Sequence, residues 1–322
     1  MRRKTINYSK YGYWFSIPFV AAFLVFMLYP FLFTTVIGFT DLRGLGRMEF
    51  QFLEKPFENF VRILNNNTFR TSLKNTLKIW IINFIPQMLL ALLLTAWFTS
   101  RRFRIKGQGA FKVLFYMPNI ITAATIAILF NALFMYPTGV MNYILQKLGV
   151  IQTAFNFGES KLGTQLIISF IQFWMWYGYT MLILISGVLG LNHQMYEAAE
   201  IDGASSVQQF FLITIPNLRT ILLFTLITSM VGGLNMFDIP RLFNNGNPDN
   251  ASLTVSFFIY NQAFSGSFLY NRAAAASMIL FAIIAVLAAI IFFAMRDKVA
   301  ARERKAARIA RRAGKKEEGA AI

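Results

Sequence analysis

Six stretches of this chain stay apolar for 25 residues or more, at about 13–39, 73–98, 111–135, 164–190, 217–242 and 270–295. The hydrocarbon core of a bilayer is about 30 Å thick, and a helix rising about 1.5 Å per residue crosses it in about 20 residues. Each stretch is long enough to span, so the chain is expected to be an all-α integral membrane protein with six transmembrane helices. Composition points the same way: 56% of the 322 residues are hydrophobic and 14% are charged, against about 25% charged in a soluble domain. One water-soluble core cannot hide that much apolar surface. Pro18, Pro30, Pro86, Pro118, Gly178, Gly232 and Gly233 fall inside the runs. Spanning helices tolerate such residues where neighbours satisfy the freed backbone groups. The first run exceeds the roughly 7–15-residue apolar core of a signal peptide and is expected to be retained.

The formal charge of +17 would suit a nucleic-acid binder, but its distribution assigns it elsewhere. Residues 1–12 hold four basic residues and no acid, residues 99–112 hold five (Arg101, Arg102, Arg104, Lys106, Lys112) and no acid, and residues 296–322 hold ten with four acids. Each basic segment abuts an apolar run, the pattern of cytoplasmic flanks. No nucleic-acid partner is expected. Residues 1–12 and the basic tail 297–322 are expected in the cytoplasm, the tail in water or against anionic membrane lipid, with the membrane domain at 13–296 between them. In this arrangement the inner segments carry 20 Lys/Arg and the outer ones 11. The first outer loop, about 40–72, is expected to hold a short amphipathic helix around Phe57–Leu64, and the Asn-x-Ser/Thr triplets at Asn66 and Asn250 fall outside.

Several chemistries are excluded. There is no cysteine, which removes disulfides, thiolate nucleophiles and Cys-ligated metal. A single histidine, His193, removes any site needing two imidazoles. No Gly-x-x-x-x-Gly-Lys-Ser/Thr loop is present to cradle nucleotide phosphates. Ion-coupled transport usually leaves carboxylates within spans, and Asp238, near the outer end of the fifth run, is the one acid clearly inside a run.

Segment 191–216, LNHQMYEAAEIDGASSVQQFFLITIP, breaks the basic habit of the inner loops: Glu197, Glu200 and Asp202 meet no Lys or Arg until Arg219. Tyr196–Ile201 are good helix formers, Asp202-Gly203 supplies a turn, and Ser205–Leu212 restarts a helix that Pro216 hands to the next span. The expected product is a short helix–turn–helix against the inner membrane face. Its alanines permit close approach of another backbone, and its carboxylates suit a basic partner.

Glu197-Ala198-Ala199, three residues, Gly203, nine residues, then Ile213-x-Ile215-Pro216 resembles the EAA signature of ABC importer permeases, with Ile215 in place of the usual Leu. The extended form, Tyr196 through Ala204 with Asp202-Gly203-Ala204 at its end, also matches. Downstream, Phe237-Asp238 and Asn245-Gly246-Asn247-Pro248 are similar to a sugar-permease stretch, though Asn244 and Asn247 depart from its Thr and second Gly. Ile259-Tyr260-x-x-Ala263-Phe264 and Ala273–Ala276 continue the likeness, which covers about 14–296 in order. It is that of the maltose/multiple-sugar branch, first-permease type.

The resemblance implies a type I ABC importer permease fold in a bacterial cytoplasmic (inner) membrane. It implies a second homologous permease, an ATPase dimer and an extracellular or periplasmic solute-binding protein as partners, with an oligosaccharide as cargo. ATP and Mg would sit on the ATPase, leaving this chain without cofactor, metal or catalytic residue. Tyr196–Ser206 would be the coupling helix, Glu197 its polar anchor and Gly203 its turn. The substrate path would draw on Tyr177, Tyr179, Asn235 and Ser256, with Asp238 and Tyr260 as further candidates and Trp174, Trp176 and Asn261 nearby. Trp and Tyr near helix ends also form interfacial belts, and Asp238 could instead pair with Arg241 three residues on. Two other readings compete: the same machinery carrying an anionic cargo (a uronate oligosaccharide or glycerol phosphate), and an ATP-independent secondary transporter.

Overall fold

A computed structural model of the chain describes residues 9–295 except 48, 101–105 and 267. The expectations for residues 1–8, for Arg101, Arg102 and Arg104, and for the tail lie outside the described residues. The first span is α1 (Ser9–Phe23), a widened turn at Leu24–Leu28 and α2 (Tyr29–Ile37). The short α3 (Glu58–Leu64) follows, then the long α4 (Asn67–Phe98). Next come α5 (Gln108–Ile120), α6 (Ala123–Phe134), α7 (Val140–Lys147) and the long α8 (Lys161–Leu189). The remainder is α9 (His193–Ile201), α10 (Ser206–Gln209), α11 (Ile215–Asn217), α12 (Arg219–Leu234), α13 (Asp238–Asn244), α14 (Val255–Phe264) and α15 (Tyr270–Met295). Among the described residues, four helices are long and apolar enough to cross a membrane, or six if two bent pairs each count as one span.

The centre of the bundle is the α4–α8 pair. Both helices start on a side-chain cap: Asn66 accepts from the Phe69 N–H, and Ser160 accepts from the Gly163 N–H. Their seam is polar as well as apolar. Gln165 Nε2 donates to Asn75 Oδ1 at 3.1 Å, and Gln87 Nε2 donates to Thr180 Oγ1 at 2.8 Å. Inside hydrocarbon such amides must find partners, and pairing them fixes the register of the two helices. Apolar packing flanks the seam at both ends: Ile79, Ile126, Ile168, Ile171 and Ile239 form one cluster, and Ala91, Leu94, Met181, Leu184 and Leu218 another.

The third and fifth runs are not single straight spans. α5 and α6 meet at 89°. The break falls at Ile121-Thr122, where Thr122 turns extended and its hydroxyl accepts from the Thr125 N–H to cap α6. In the fifth run α10–α11 meets α12 at 69°, and α12 ends at Leu234, short of the expected residue 242. Asn235–Phe237 leave the helix, and Thr254 Oγ1 donates to the freed Met236 carbonyl at 2.7 Å. α13 then turns aside to pack Ile239 and Phe243 with Ile126 and Phe130 of α6.

The chain has two distinguishable ends. At one, α3, the starts of α4 and α8, and segment 245–253 come together: Asn75 Nδ2 donates to the Asn250 carbonyl at 2.7 Å and Gln165 Nε2 to that of Ala251 at 2.8 Å. α15 starts here, its Asn271 N–H donating to the Leu42 carbonyl. At the other end α4 and α8 finish, and segment 191–216 crosses beneath them.

Candidate functional site

A cavity of about 220 Å³ lies between α4, α8 and α12. α8 contributes Gln172, Trp176, Tyr179 and Thr180, α12 contributes Thr225, Thr228, Ser229, Gly232 and Gly233, and α4 contributes Gln87. These positions recur every three or four residues, so each helix turns one polar stripe to the cavity. The wall carries no charged side chain. Thr225 and Thr228 donate their hydroxyl protons to helix carbonyls, Thr225 to Leu222 and Thr228 to Phe224, leaving oxygen lone pairs as acceptors. Gln87 is held by Thr180 and accepts from Ser229 Oγ at 3.4 Å. Gln172 is 8% exposed and, among the described residues, its amide has no hydrogen-bond partner. The amide opens on the cavity, where it can both donate to and accept from a hydroxyl-bearing ligand.

Tyr179 belongs also to a second, more open depression, lined by Tyr116, Ser186, Gly187, Thr220 and Phe224 and running along the same α8–α12 seam toward the 191–216 end. The two depressions share this one ring. Tyr179 therefore stands where a polar chamber gives way to a mainly apolar track.

The expected site residues are dispersed. Tyr179 reaches the cavity, whereas Tyr177, two residues earlier on the same helix, is 8% exposed and packs into the core against Phe115 and Phe173. Asn235 turns its amide back to the Val231 carbonyl at 2.9 Å, and Ser256 lies on α14, away from the cavity wall. Asp238 is exposed in the first turn of α13, where the helix dipole favours it. It forms no ion pair with Arg241: the Arg241 guanidinium lies over Tyr260, 3.9 Å from the ring centroid, with Phe237 at 5.3 Å. A planar, weakly hydrated cation gains more from stacking between two rings than from an exposed carboxylate one turn away. Of the polar stripe, Trp176 and Tyr179 are among the expected residues, whereas Gln172, Thr225, Thr228 and Ser229 are not. Its signal was present as Gln172-x-x-x-Trp176-x-x-Tyr179 and Thr225-x-x-Thr228-Ser229-x-x-Gly232, one face each of otherwise apolar helices.

Segment 191–216 folds as a helix–turn–helix. Asn192 accepts from the Gln194 N–H to start α9. Gly203 ends its turn at φ +79, a conformation that side chains with a Cβ rarely adopt. Ser205 and Gln208 then make a reciprocal cap, Gln208 N–H to Ser205 Oγ and Ser205 N–H to Gln208 Oε1. Tyr196 Oη and Thr214 Oγ1, 2.9 Å apart, tie α9 to the following turn. The helix thus has two faces. His193, Tyr196 and Glu200 look back toward the bundle. Glu197, with 59% of its side chain exposed and paired with His193 Nδ1 at 3.0 Å, and Ile201, 87% exposed, look away. Ala198 lies beside Glu197 on the exposed surface, Ala199 is half-buried, and Asp202, Gly203 and Ala204 form the turn.

Residues 63–305 match the family model for the binding-protein-dependent transport system inner membrane component. The chain belongs to this family. Among its relatives, the lactose transport system permease protein of Rhizobium radiobacter is 31% identical over 90% of this chain and 96% of its own length. The arabinooligosaccharides transport system permease protein of Bacillus subtilis is 31% identical over 88% of each. A permease of a trehalose/maltose transport system from Thermococcus litoralis is 28% identical over 86% of this chain and 90% of its own. The fold is that of a chain in the crystal structure of a bacterial ABC transporter that imports the acidic polysaccharide alginate, with a TM-score of 0.74, 21% identity, and coverage of 88% of this chain and 94% of that one. This permease is thus a multi-pass inner-membrane component of a binding-protein-dependent transport system.

Proposed function

We propose that this permease forms half of the translocation path of an ATP-driven carbohydrate importer and takes its driving force from a separate ATPase through segment 191–216. The observation that carries the cargo assignment is the uncharged cavity with its unpartnered Gln172 amide beside Trp176 and Tyr179. Neutral donors and acceptors next to aromatic surface suit sugar hydroxyls and the apolar faces of pyranose rings. An anionic cargo would want a cation in the wall, and Arg241 is occupied by Tyr260 and Phe237 instead. The curated relatives named above, which carry lactose, arabinooligosaccharides and trehalose or maltose in their names, support the carbohydrate class.

At about 220 Å³ the cavity falls short of the roughly 300–1,000 Å³ usual for a ligand site, which fits a path completed by a second homologous permease. The first span offers that partner a surface: Tyr13, Trp14, Phe15, Phe19 and Phe26 are each more than 70% exposed. In this reading, which the basic flanks support, segment 191–216 and both termini are cytoplasmic, and the solute-binding protein delivers cargo at the opposite end. The outward face of α9, bearing Glu197 and Ile201, is the surface for the ATPase dimer, which holds ATP and Mg. ATPase closure would pull on α9 and rock α8 and α12 about the cavity, the usual rigid-body form of alternating access.

The test is reconstitution in liposomes with the partner permease, ATPase and binding protein, following uptake of labelled oligosaccharides. Wild type should accumulate a neutral sugar only with ATP. Glu197→Ala should lower ATP-driven uptake without changing sugar occupancy, and Gln172→Leu should lower occupancy while leaving the ATPase docked. Uptake by this chain alone on an ion gradient, indifferent to Glu197, would overturn the proposal.

A further inference from the structure

Trp80 Nε1 is, among the described residues, the one fully buried side-chain nitrogen or oxygen without a hydrogen-bond partner. A buried indole N–H normally finds an acceptor, and inside hydrocarbon no water makes good the loss. Trp80 stands on α4 two turns before Gln87, about 10 Å nearer the 245–253 end. There its ring lies beside Phe84, the centroids 5.6 Å apart, and against α12 at Gly233.

The contact with Gly233 is a notch that only this ring fills. A Cβ on Gly233 would stand 2.4 Å from Trp80 Cδ1, 3.1 Å from its Cγ and 3.4 Å from its Cβ, so a side chain there would expel the indole. Cδ1 is bonded to Nε1, which puts the unpaired donor at this same contact. Gly232 and Gly233 both line the cavity, yet a Cβ on Gly232 would meet nothing within 4 Å. One glycine thus opens on the cavity and the next receives α4. Gln87 and Ser229 tie these two helices at the level of the cavity, and Trp80 on Gly233 closes their seam one turn further on.

α12 also stops here, at Leu234, and a helix end leaves its last four carbonyls without helical partners. The Val231 carbonyl accepts from the Asn235 N–H and side-chain amide, and the Gly233 carbonyl from the Met236 N–H at 3.4 Å. The Gly232 and Leu234 carbonyls receive no hydrogen bond among the described residues. A donor without an acceptor and acceptors without a donor therefore lie at one helix end and stay unpaired. Just beyond, Thr254 anchors the Met236 carbonyl. Movement of α12 against that anchored segment falls on Gly232-Gly233, which carry no side chain to obstruct it.

We propose that Trp80 is a two-position latch on the seam between α4 and α12. Seated on Gly233, it closes the cavity toward the 245–253 end with its N–H unpaired. When α12 pivots, the ring leaves the notch and the N–H pairs with a carbonyl at the end of α12. The seated position is better packed and the released one better hydrogen-bonded, so the two lie close in free energy and the seam can switch in either direction. The inference rests on the cavity lying on the translocation path, as proposed above.

Side-specific labelling tests it. Gly232→Cys places a reporter thiol on the cavity wall of a chain with no natural cysteine. The permease is assembled with its partner permease, ATPase and binding protein in right-side-out and inside-out vesicles. A membrane-impermeant maleimide is applied to each during ATP-driven turnover, and label on this chain is read. Trp80→Ala, which empties the notch, and Gly233→Ala, which fills it, should each speed labelling from the external side about tenfold, and the two together no more than either alone. Trp80→Phe keeps a ring in the notch but has no N–H to pair on release. It should slow external labelling about twofold to tenfold, the opposite of Trp80→Ala and an outcome that loosened packing cannot give. Unchanged labelling from the internal side shows that each variant has folded, and the two Trp80 variants carry the test if Gly233→Ala does not assemble. External labelling indifferent to all three variants, or speeded by Trp80→Phe as by Trp80→Ala, would overturn the latch and leave the path intact. A Gly232→Cys that labels from neither side would overturn the path, and the latch with it.

Discussion

Replacing Gly178 by alanine should force α5 away from α8. A Cβ at this position would lie 2.0 Å from the Phe115 carbonyl oxygen, 2.7 Å from its carbonyl carbon and 3.0 Å from Tyr116 Cα. All three are backbone atoms, so no side chain can swing aside, and α5 must retreat by at least about 1 Å to restore ordinary contact. Glycine to alanine in a helix otherwise gains about 0.5–1 kcal/mol. Overpacking costs about 1–3 kcal/mol and occasionally more; with rigid backbone on the receiving side the upper part of that range applies, for a net loss of about 1–3 kcal/mol. The retreat would also open the contact of Phe115 with Tyr177, whose rings lie 6.2 Å apart. Gly232 gives an internal control, because a Cβ there meets nothing within 4 Å; Gly232→Ala should stabilise by about 0.5–1 kcal/mol. Thermal unfolding in detergent, followed by tryptophan fluorescence, should separate the two variants by several degrees in opposite directions from wild type. Equal stability of the two, or a more stable Gly178→Ala, would refute the close approach of α5 and α8.

Three further outcomes follow from individual contacts. Gln87→Leu removes the amide that donates to Thr180 and accepts from Ser229; Thr180 keeps its donation to the Trp176 carbonyl, so the loss should be about 0.5–1.5 kcal/mol, with sugar occupancy in the reconstituted system falling as well. Arg241→Lys should lose about 0.5–1 kcal/mol of stability because an ammonium cannot reproduce the planar stack on Tyr260, and Tyr260→Leu combined with it should add less than its effect alone. The Asp41 carboxyl accepts from the Gln51 N–H and then from Arg47, and these hold its pKa below the usual 3.8. A depressed folded-state pKa means stabilisation that is present above the unfolded value and lost as pH falls through the folded one. Order in segment 40–53 should therefore persist at pH 5 or so and loosen only below 3.8, a change that pepsin cleavage against pH would report and that Asp41→Asn should abolish.

The residues alone determined how many apolar runs the chain has and where the helix–turn–helix of segment 191–216 lies. The reason is local: run length is set by bilayer thickness, and Asp202-Gly203, Ser205 and Pro216 act through their own backbone preferences. Tertiary structure decided the rest. Pattern alone does not say which face of a nearly uniformly apolar helix meets lipid, a neighbour or a cavity, so Tyr177 and Tyr179 read alike in sequence. Packing of α5 on α8 then buries the first and leaves the second at the cavity. The break at Thr122 rests on a local cap from its own hydroxyl, whereas the break at Asn235 is non-local: Thr254, 18 residues along the chain, donates to the freed Met236 carbonyl. Arg241 had a carboxylate one turn away in sequence, and only the fold brought Tyr260 near enough to take it instead.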